Sequence, residues 1–170
     1  MQDQAYAGAK RRTKSLALLA IARPGLHQSH GETALRLQFH HEIDQSIGQL
    51  FVTRVAGNIA TSAIIASLEY GVAVLGTKAI IVLGHANCGA VKASIEAKAV
   101  PGQISALYPY IRPAVDQAGT NLDAAVRANA KIQAALLRQS SPVLAGHIKQ
   151  NRLTIVAGYY DLASGIVAVL

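Results

Sequence analysis

His85-Ala86-Asn87-Cys88-Gly89 places an imidazole and a thiol three residues apart, directly after the apolar run Ala79-Ile80-Ile81-Val82-Leu83-Gly84. At the lip of a strand both side chains can turn toward one point, and imidazole with thiolate is a donor pair that zinc accepts. Gly89 would let the following backbone approach whatever is held there. Taken alone the spacing is weak, because a free cysteine is most often a small buried hydrophobe. Zinc sites also need at least three protein ligands, and Cys88 is the sole cysteine of the 170 residues. A single cysteine likewise excludes an intrachain disulfide scaffold.

The elements around this motif read as alternating strand and helix. Leu50-Phe51-Val52-Thr53-Arg54-Val55 is a short β-rich run closed by the turn Ala56-Gly57-Asn58. Thr61 and Ser62 are caps for a helix through Leu68 and Tyr70 to Gly71 and Val74. The run 79–84 is continuously apolar, as expected for a parallel strand covered on both faces, and Ala90 to Ala97 reads as helix. Residues 99–109 read as loop and short helix. Asn121 to Gln139 is strongly helical, with Leu122, Val126, Ile132, Leu136 and Leu137 as its apolar face. Ser140-Ser141-Pro142 restarts a short helix to His147, residues 152–160 form a buried strand, Asp161 to Gly165 turn, and Ile166 to Leu170 close the sheet. This order implies an α/β fold, a mainly parallel sheet flanked by helices, in one domain over 1–170. Residues 3–22 read as a helix, giving an N-terminal helical arm over 1–22. Residues 23–43 follow no period and form an atypical segment. Ligands of open parallel sheets gather beyond the carboxyl ends of the strands, so the turn at Gly57-Asn58 and the loop at His85–Gly89 are the candidate site.

Composition bounds the function. A chain of this length buries roughly 70% of its unfolded surface, enough for a core without staples. Hydrophobic residues make up 51% and charged residues 15%, which excludes a disordered chain and favours a homodimer or higher homo-oligomer. The net charge of +7 clusters only at Lys10, Arg11, Arg12 and Lys14, and tryptophan is absent, so nucleic acid is not the expected partner. The run Ser15 to Ala22 is too short for a membrane span of ~20 residues and is broken by Arg23-Pro24 without a cleavage site. A cytoplasmic location is expected.

Several ordered motifs together are specific. Residues 44–58, Asp44-Gln45-Ser46-Ile47-Gly48-Gln49-Leu50-Phe51-Val52-Thr53-Arg54-Val55-Ala56-Gly57-Asn58, then Ser67-Leu68-Glu69-Tyr70-Gly71, then Leu83 to Val91, resemble the β-class carbonic anhydrases. The ending Gly158-Tyr159-Tyr160-Asp161-Leu162-Ala163-Ser164-Gly165 is similar to the family's last hairpin. The resemblance implies zinc as cofactor, carbon dioxide and bicarbonate as substrates, His85 and Cys88 as zinc ligands, and a substrate pocket lined by Gly57, Asn58 and Gly89. It also implies a dimer made partly by the N-terminal helix.

The family's other two ligands come from a Cys-x-Asp-x-Arg loop shortly before the position of Asp44, whose Asp–Arg dyad takes part in catalysis. Counted back without gaps, those positions fall on Glu32, Ala34 and Arg36. Only Arg36 keeps the residue type, as a weak catalytic candidate. Glu32, His40 and His41 are chemically competent replacement ligands, with Glu42 beside them. His40 and His41 are adjacent, so in an extended segment only one could reach a metal. Three readings follow: impaired hydration of carbon dioxide to bicarbonate, a non-catalytic oligomerising relative, or a small-anion-binding domain. A Rossmann cradle is missing, since no G-x-G-x-x-G follows a strand. Hydrolysis by a Cys88 nucleophile is less economical than a ligand pair.

Abrupt loss of the family pattern between intact flanks points to replacement of the segment, by a shifted reading frame or a damaged gene copy. The nucleotide sequence is expected to encode a Cys-x-Asp-x-Arg loop in another frame across residues 23–43. A sequence with no such frame rejects this origin.

Overall fold

The apolar run after Lys78 forms the central strand of a five-stranded sheet. In the computed structural model, which describes residues 18–22 and 50–170, the strands are β1 (Leu18–Ala22), β2 (Leu50–Thr53), β3 (Ala79–His85), β4 (Thr154–Tyr160) and β5 (Val167–Val169). Their order across the sheet is β2-β1-β3-β4-β5. β3 and β4 pair in parallel, Ala79 beside Thr154 and His85 beside Tyr160. The ladders of β1 with β2, β1 with β3, and β4 with β5 are antiparallel. The expected α/β class, with helices against a sheet, is therefore observed, and its parallel pairing is concentrated in the pair of strands that ends at His85.

The end of the expected N-terminal helix is corrected. Leu18-Leu19-Ala20-Ile21-Ala22 is strand β1, inserted between β2 and β3. A run apolar at every position carries no period that separates buried strand from helix, and here the sheet decides. The rest of the arm, the basic cluster, and Glu32, Arg36, His40, His41, Glu42 and Asp44 lie outside the described residues.

Five helices follow: α1 (Ser62–Ala73), α2 (Gly89–Glu96), α3 (Tyr108–Ala118), α4 (Leu122–Ser140) and α5 (Pro142–Lys149). Helix α3 was not expected, because Pro109 and Pro113 mask it; Pro109 sits in the first turn, where its missing N–H costs no helical bond. Thr61 holds the cap position of α1 but makes no side-chain cap bond. Asn121 caps α4, its Oδ1 accepting from the N–H of Ala124 at 3.0 Å. Ser141 caps α5 through Leu144 N–H at 3.0 Å and donates its own hydroxyl proton to Glu69 of α1 at 2.6 Å.

Alternation along β3 and β4 sorts the core. Ile80, Val82, Ile155 and Ala157 join Leu68 and Val72 of α1, Ala130, Ala134 and Leu137 of α4, and Leu144 of α5. Nearer the strand ends, Tyr159 joins Ile59, Cys88, Val91, Ile111 and Val126. On the opposite parity, Ile81, Leu83, Tyr160 and Val167 form a small separate cluster with no helical residue. The buried stripe of α4 is Ala125, Val126, Asn129, Ala130, Gln133, Ala134 and Leu137. Leu136, expected on the apolar face, is exposed, and Ile132 is only half-buried. The helix is rotated because two amides, Asn129 and Gln133, are needed inside. It also lies close to the sheet: a Cβ on Gly84 would stand 2.8 Å from Val126 Cγ1 and 3.2 Å from the Val126 carbonyl oxygen. Glycine at 84 is what lets α4 cross the end of β3 at this distance.

Candidate metal centre

His85 ends β3, and the backbone turns immediately after it, with Ala86 N–H bonded to the Tyr160 carbonyl at 2.9 Å. Its Nδ1 lies 2.8 Å from the Ala86 carbonyl oxygen. A carbonyl can only accept, so Nδ1 carries the proton and Nε2 carries the lone pair. His85 is 2% exposed, and among the described residues Nε2 has no hydrogen-bond partner. A buried acceptor without a partner costs about 1–3 kcal/mol, which a metal ion would offset.

Cys88 is buried at the N-cap of α2. Burial pushes its thiol up, but the approach of His85 and the backbone N–H groups of Val91 and Ala90 outweigh that and leave it below the ordinary thiol value. The Cys88 side chain in turn holds the His85 imidazole above its ordinary value, against desolvation. Each side chain thus acts on the other, while no hydrogen bond of standard geometry joins Nε2 to the sulfur. Among the described residues, a Cβ added at Gly89 would meet nothing within 4 Å.

The turn Ala56–Asn58 lies against the first turn of α2. Gly57 has φ +75, and a Cβ there would stand 2.6 Å from Ile111 Cδ1 and 3.5 Å from Ala90 Cβ. The turn is pinned from α4. Asn129 Nδ2 donates to the Gly57 carbonyl at 2.7 Å and to Asn58 Oδ1 at 3.3 Å. Gln133 Oε1 accepts from Ala60 N–H at 2.9 Å, while its Nε2 donates to the Tyr110 carbonyl at 3.1 Å. Sequence reasoning missed both amides; the signal was two polar residues four apart among the core positions of an otherwise apolar helix face. It also missed a second lock. Tyr159, paired beside Gly84, donates its hydroxyl proton to Asp123, and Arg127 Nε donates to the same carboxylate at 2.8 Å. The Arg127 guanidinium lies 3.7 Å over the Tyr159 ring. Burial, then the Asp123 carboxylate, push the Tyr159 hydroxyl up to about 12.

The structure thus brings together His85, Cys88, Gly57, Asn58 and Gly89. His85 and Cys88 fit two positions of a zinc site in donor type. Among the described residues, no group of three His, Cys, Asp or Glu side chains could hold a metal ion. Ala22 pairs with Ala79 and with Leu50, so both ends of the connection 23–49 are anchored at the end of the sheet away from His85. The seven residues of β3 separate the two ends by roughly 20 Å at ~3.3 Å per residue.

Residues 35–167 match the family model described as carbonic anhydrase. The chain belongs to the β-carbonic anhydrase family. It is 37% identical over 140 residues to a carbonic anhydrase of Pseudomonas aeruginosa, covering 72% of this chain and 63% of that protein. It is 33% identical over 132 residues to one of Mycolicibacterium smegmatis, covering 73% and 64%. The chain therefore spans just under two-thirds of the length of these relatives. The solved structure of a Coccomyxa β-carbonic anhydrase in complex with acetazolamide superposes with a TM-score of 0.64 at 27% identity, over 75% of this chain and 64% of that one. The β-carbonic anhydrase CcaA superposes with a TM-score of 0.67 at 24% identity, over 75% and 65%. The family is generally zinc-dependent.

Gln133→Leu leaves the Ala60 N–H and the Tyr110 carbonyl without their partner. Tyr110 is exposed, so the buried Ala60 N–H carries the loss, and about 1–3 kcal/mol is expected, read as a lower urea midpoint with unchanged slope. A change below ~0.5 kcal/mol contradicts a pinning role for the amide.

Proposed function

We propose that this β-carbonic anhydrase hydrates carbon dioxide to bicarbonate with impaired turnover, because its site supplies two zinc ligands instead of a full set. One observation carries this reading: His85 Nε2 is buried without a partner, His85 and Cys88 act on each other, and no third donor stands with them among the described residues. When bound, zinc would lower the pKa of its water toward ~7 and so supply hydroxide at neutral pH. The Ala86 carbonyl fixes the tautomer and ring direction of His85, and the start of α2 keeps Cys88 toward thiolate. Gly57 and Asn58, held by Asn129, would wall the carbon dioxide pocket, with Val91 and Ile111 excluding water. A third ligand would have to come from Glu32, His40 or His41. With Arg36 the only remnant of the Asp–Arg dyad, no carboxylate is assigned to orient the nucleophile or take up its proton.

A second reading is a non-catalytic oligomerisation or small-anion-binding domain. Its support is apolar exposure on the sheet margins, at Val52 of β2, Ile166 before β5 and Val169 of β5. A structural neighbour of 19% identity is titled as one of two tetrameric β-carbonic anhydrases from Sordaria macrospora. A homodimer or larger assembly belongs to both readings. Among the described residues no helix is long and apolar enough to cross a membrane.

Stopped-flow hydration in the presence of added zinc separates the readings. The expected turnover is at least ~100-fold below that of an intact family member run in parallel, in line with the loss of supporting groups around a metal, and His85→Ala lowers it to the buffer rate. Turnover equal to the intact member's contradicts impairment. No difference between the chain and His85→Ala favours the non-catalytic reading.

A further inference from the structure

At the opposite end of the sheet from His85, a cavity of about 540 Å³ opens where β3 and β4 begin. Lys78, His147 and Arg152 line it, together with Thr77, Asn151 and Thr154, and among the described residues no acidic side chain does. Three cationic or protonatable groups thus converge from three elements: the entry to β3, the last turn of α5, and the loop before β4.

Basic residues at helix C-termini often serve the exposed carbonyls there. In this case the main chain has already satisfied several of them. The Tyr70 carbonyl of α1 takes the N–H groups of Val74 and Leu75, and the Gly71 carbonyl takes that of Thr77. In α5 the Gly146, His147 and Ile148 carbonyls take the N–H groups of Gln150, Arg152 and Asn151. Nor are the cations spent in ion pairs: among the described residues, those pairs involve Lys92, Lys98, Arg112 and Arg127. Lys78 and Arg152 are exposed at the rim of the cavity, while Thr77 is buried in it.

We infer that this cavity is a binding site for a multiply charged oxyanion of the di- or polyphosphate class, separate from the metal centre. The guanidinium of Arg152 offers a planar fork to two phosphate oxygens and the Lys78 ammonium a mobile point charge. The Asn151 amide and the Thr77 and Thr154 hydroxyls add neutral donors. A singly charged anion the size of bicarbonate would leave most of the volume and part of the charge unused. The inference does not depend on zinc or on hydration activity.

Calorimetric titration of the full chain with pyrophosphate at low ionic strength tests it. Saturable binding of one pyrophosphate per chain is expected, weakened at least ~10-fold in Lys78→Ala combined with Arg152→Ala, since each lost charge-assisted bond costs about 1.5–3 kcal/mol. Lys92→Ala combined with Lys98→Ala removes the same net charge on another face and is expected to leave the affinity within about twofold, as surface charges away from the site are screened. Circular dichroism checks that each variant folds; if the first double variant does not, Arg152→Gln alone must weaken binding. Absence of saturable heat overturns the inference. Equal weakening by both double variants also overturns it, since that marks diffuse attraction to a basic surface.

Discussion

Burying a turn beside a metal ligand leaves main-chain groups that water can no longer reach, at about 1–3 kcal/mol for each one left unpaired. Asn129 and Gln133 solve this for the whole ligand end of the sheet. From one face of α4 they serve the Gly57 carbonyl, the Asn58 side chain, the Ala60 N–H and the Tyr110 carbonyl. Their reach depends on α4 lying close to β3, which Gly84 permits, and on the helix being turned so that amides rather than Leu136 face inward. The Tyr159–Asp123–Arg127 lock fixes the first turns of the same helix to β4. The turn at Gly57-Asn58 and the start of α4 are therefore pinned by hydrogen bonds that need no metal.

Against that support, the ligand pair is conspicuously unfinished. His85 is nearly inaccessible, its tautomer is set, and its free nitrogen has no described partner. Cys88 is held below its ordinary thiol value by its neighbours despite burial. Both features suit a dication and neither suits an apolar core. The rest of the coordination sphere would have to be reached from a connection whose two ends are anchored at the far margin of the sheet. The fold of the family is thus kept here together with a buried His85–Cys88 pair at the end of its central strand.

Much of this was legible from residue order. The continuous apolar run before His85, the turn at Gly57, the helix from Asn121 and the restart at Ser140-Ser141-Pro142 each name a local structure with a physical cause, and the ordered motifs from Asp44 to Gly165 named the family. Helix α3 was hidden by Pro109 and Pro113, since a first-turn proline reads as a breaker in sequence and as a tolerated start in structure. The inward face of α4 was misread because buried amides break the apolar stripe that marks a core helix. Leu18 to Ala22 was assigned to a helix because a five-residue apolar run carries no period, and only pairing with β2 and β3 resolves it. The open question at the site, which side chain completes the ligand set, rests on Glu32, His40 and His41, where residue types alone specify competence without position.

The central claim is that the chain presents two zinc ligands where a working centre has more. Zinc affinity of the intact protein, measured by competition with a chromophoric chelator and repeated with Cys88→Ser, tests it most directly. The account predicts a dissociation constant of roughly micromolar or weaker, weakened further in the variant, because a complete protein site contributes about 10–16 kcal/mol and two donors supply only part of it. Sub-nanomolar binding of one zinc per chain would contradict the account, showing that residues outside the described structure complete the site.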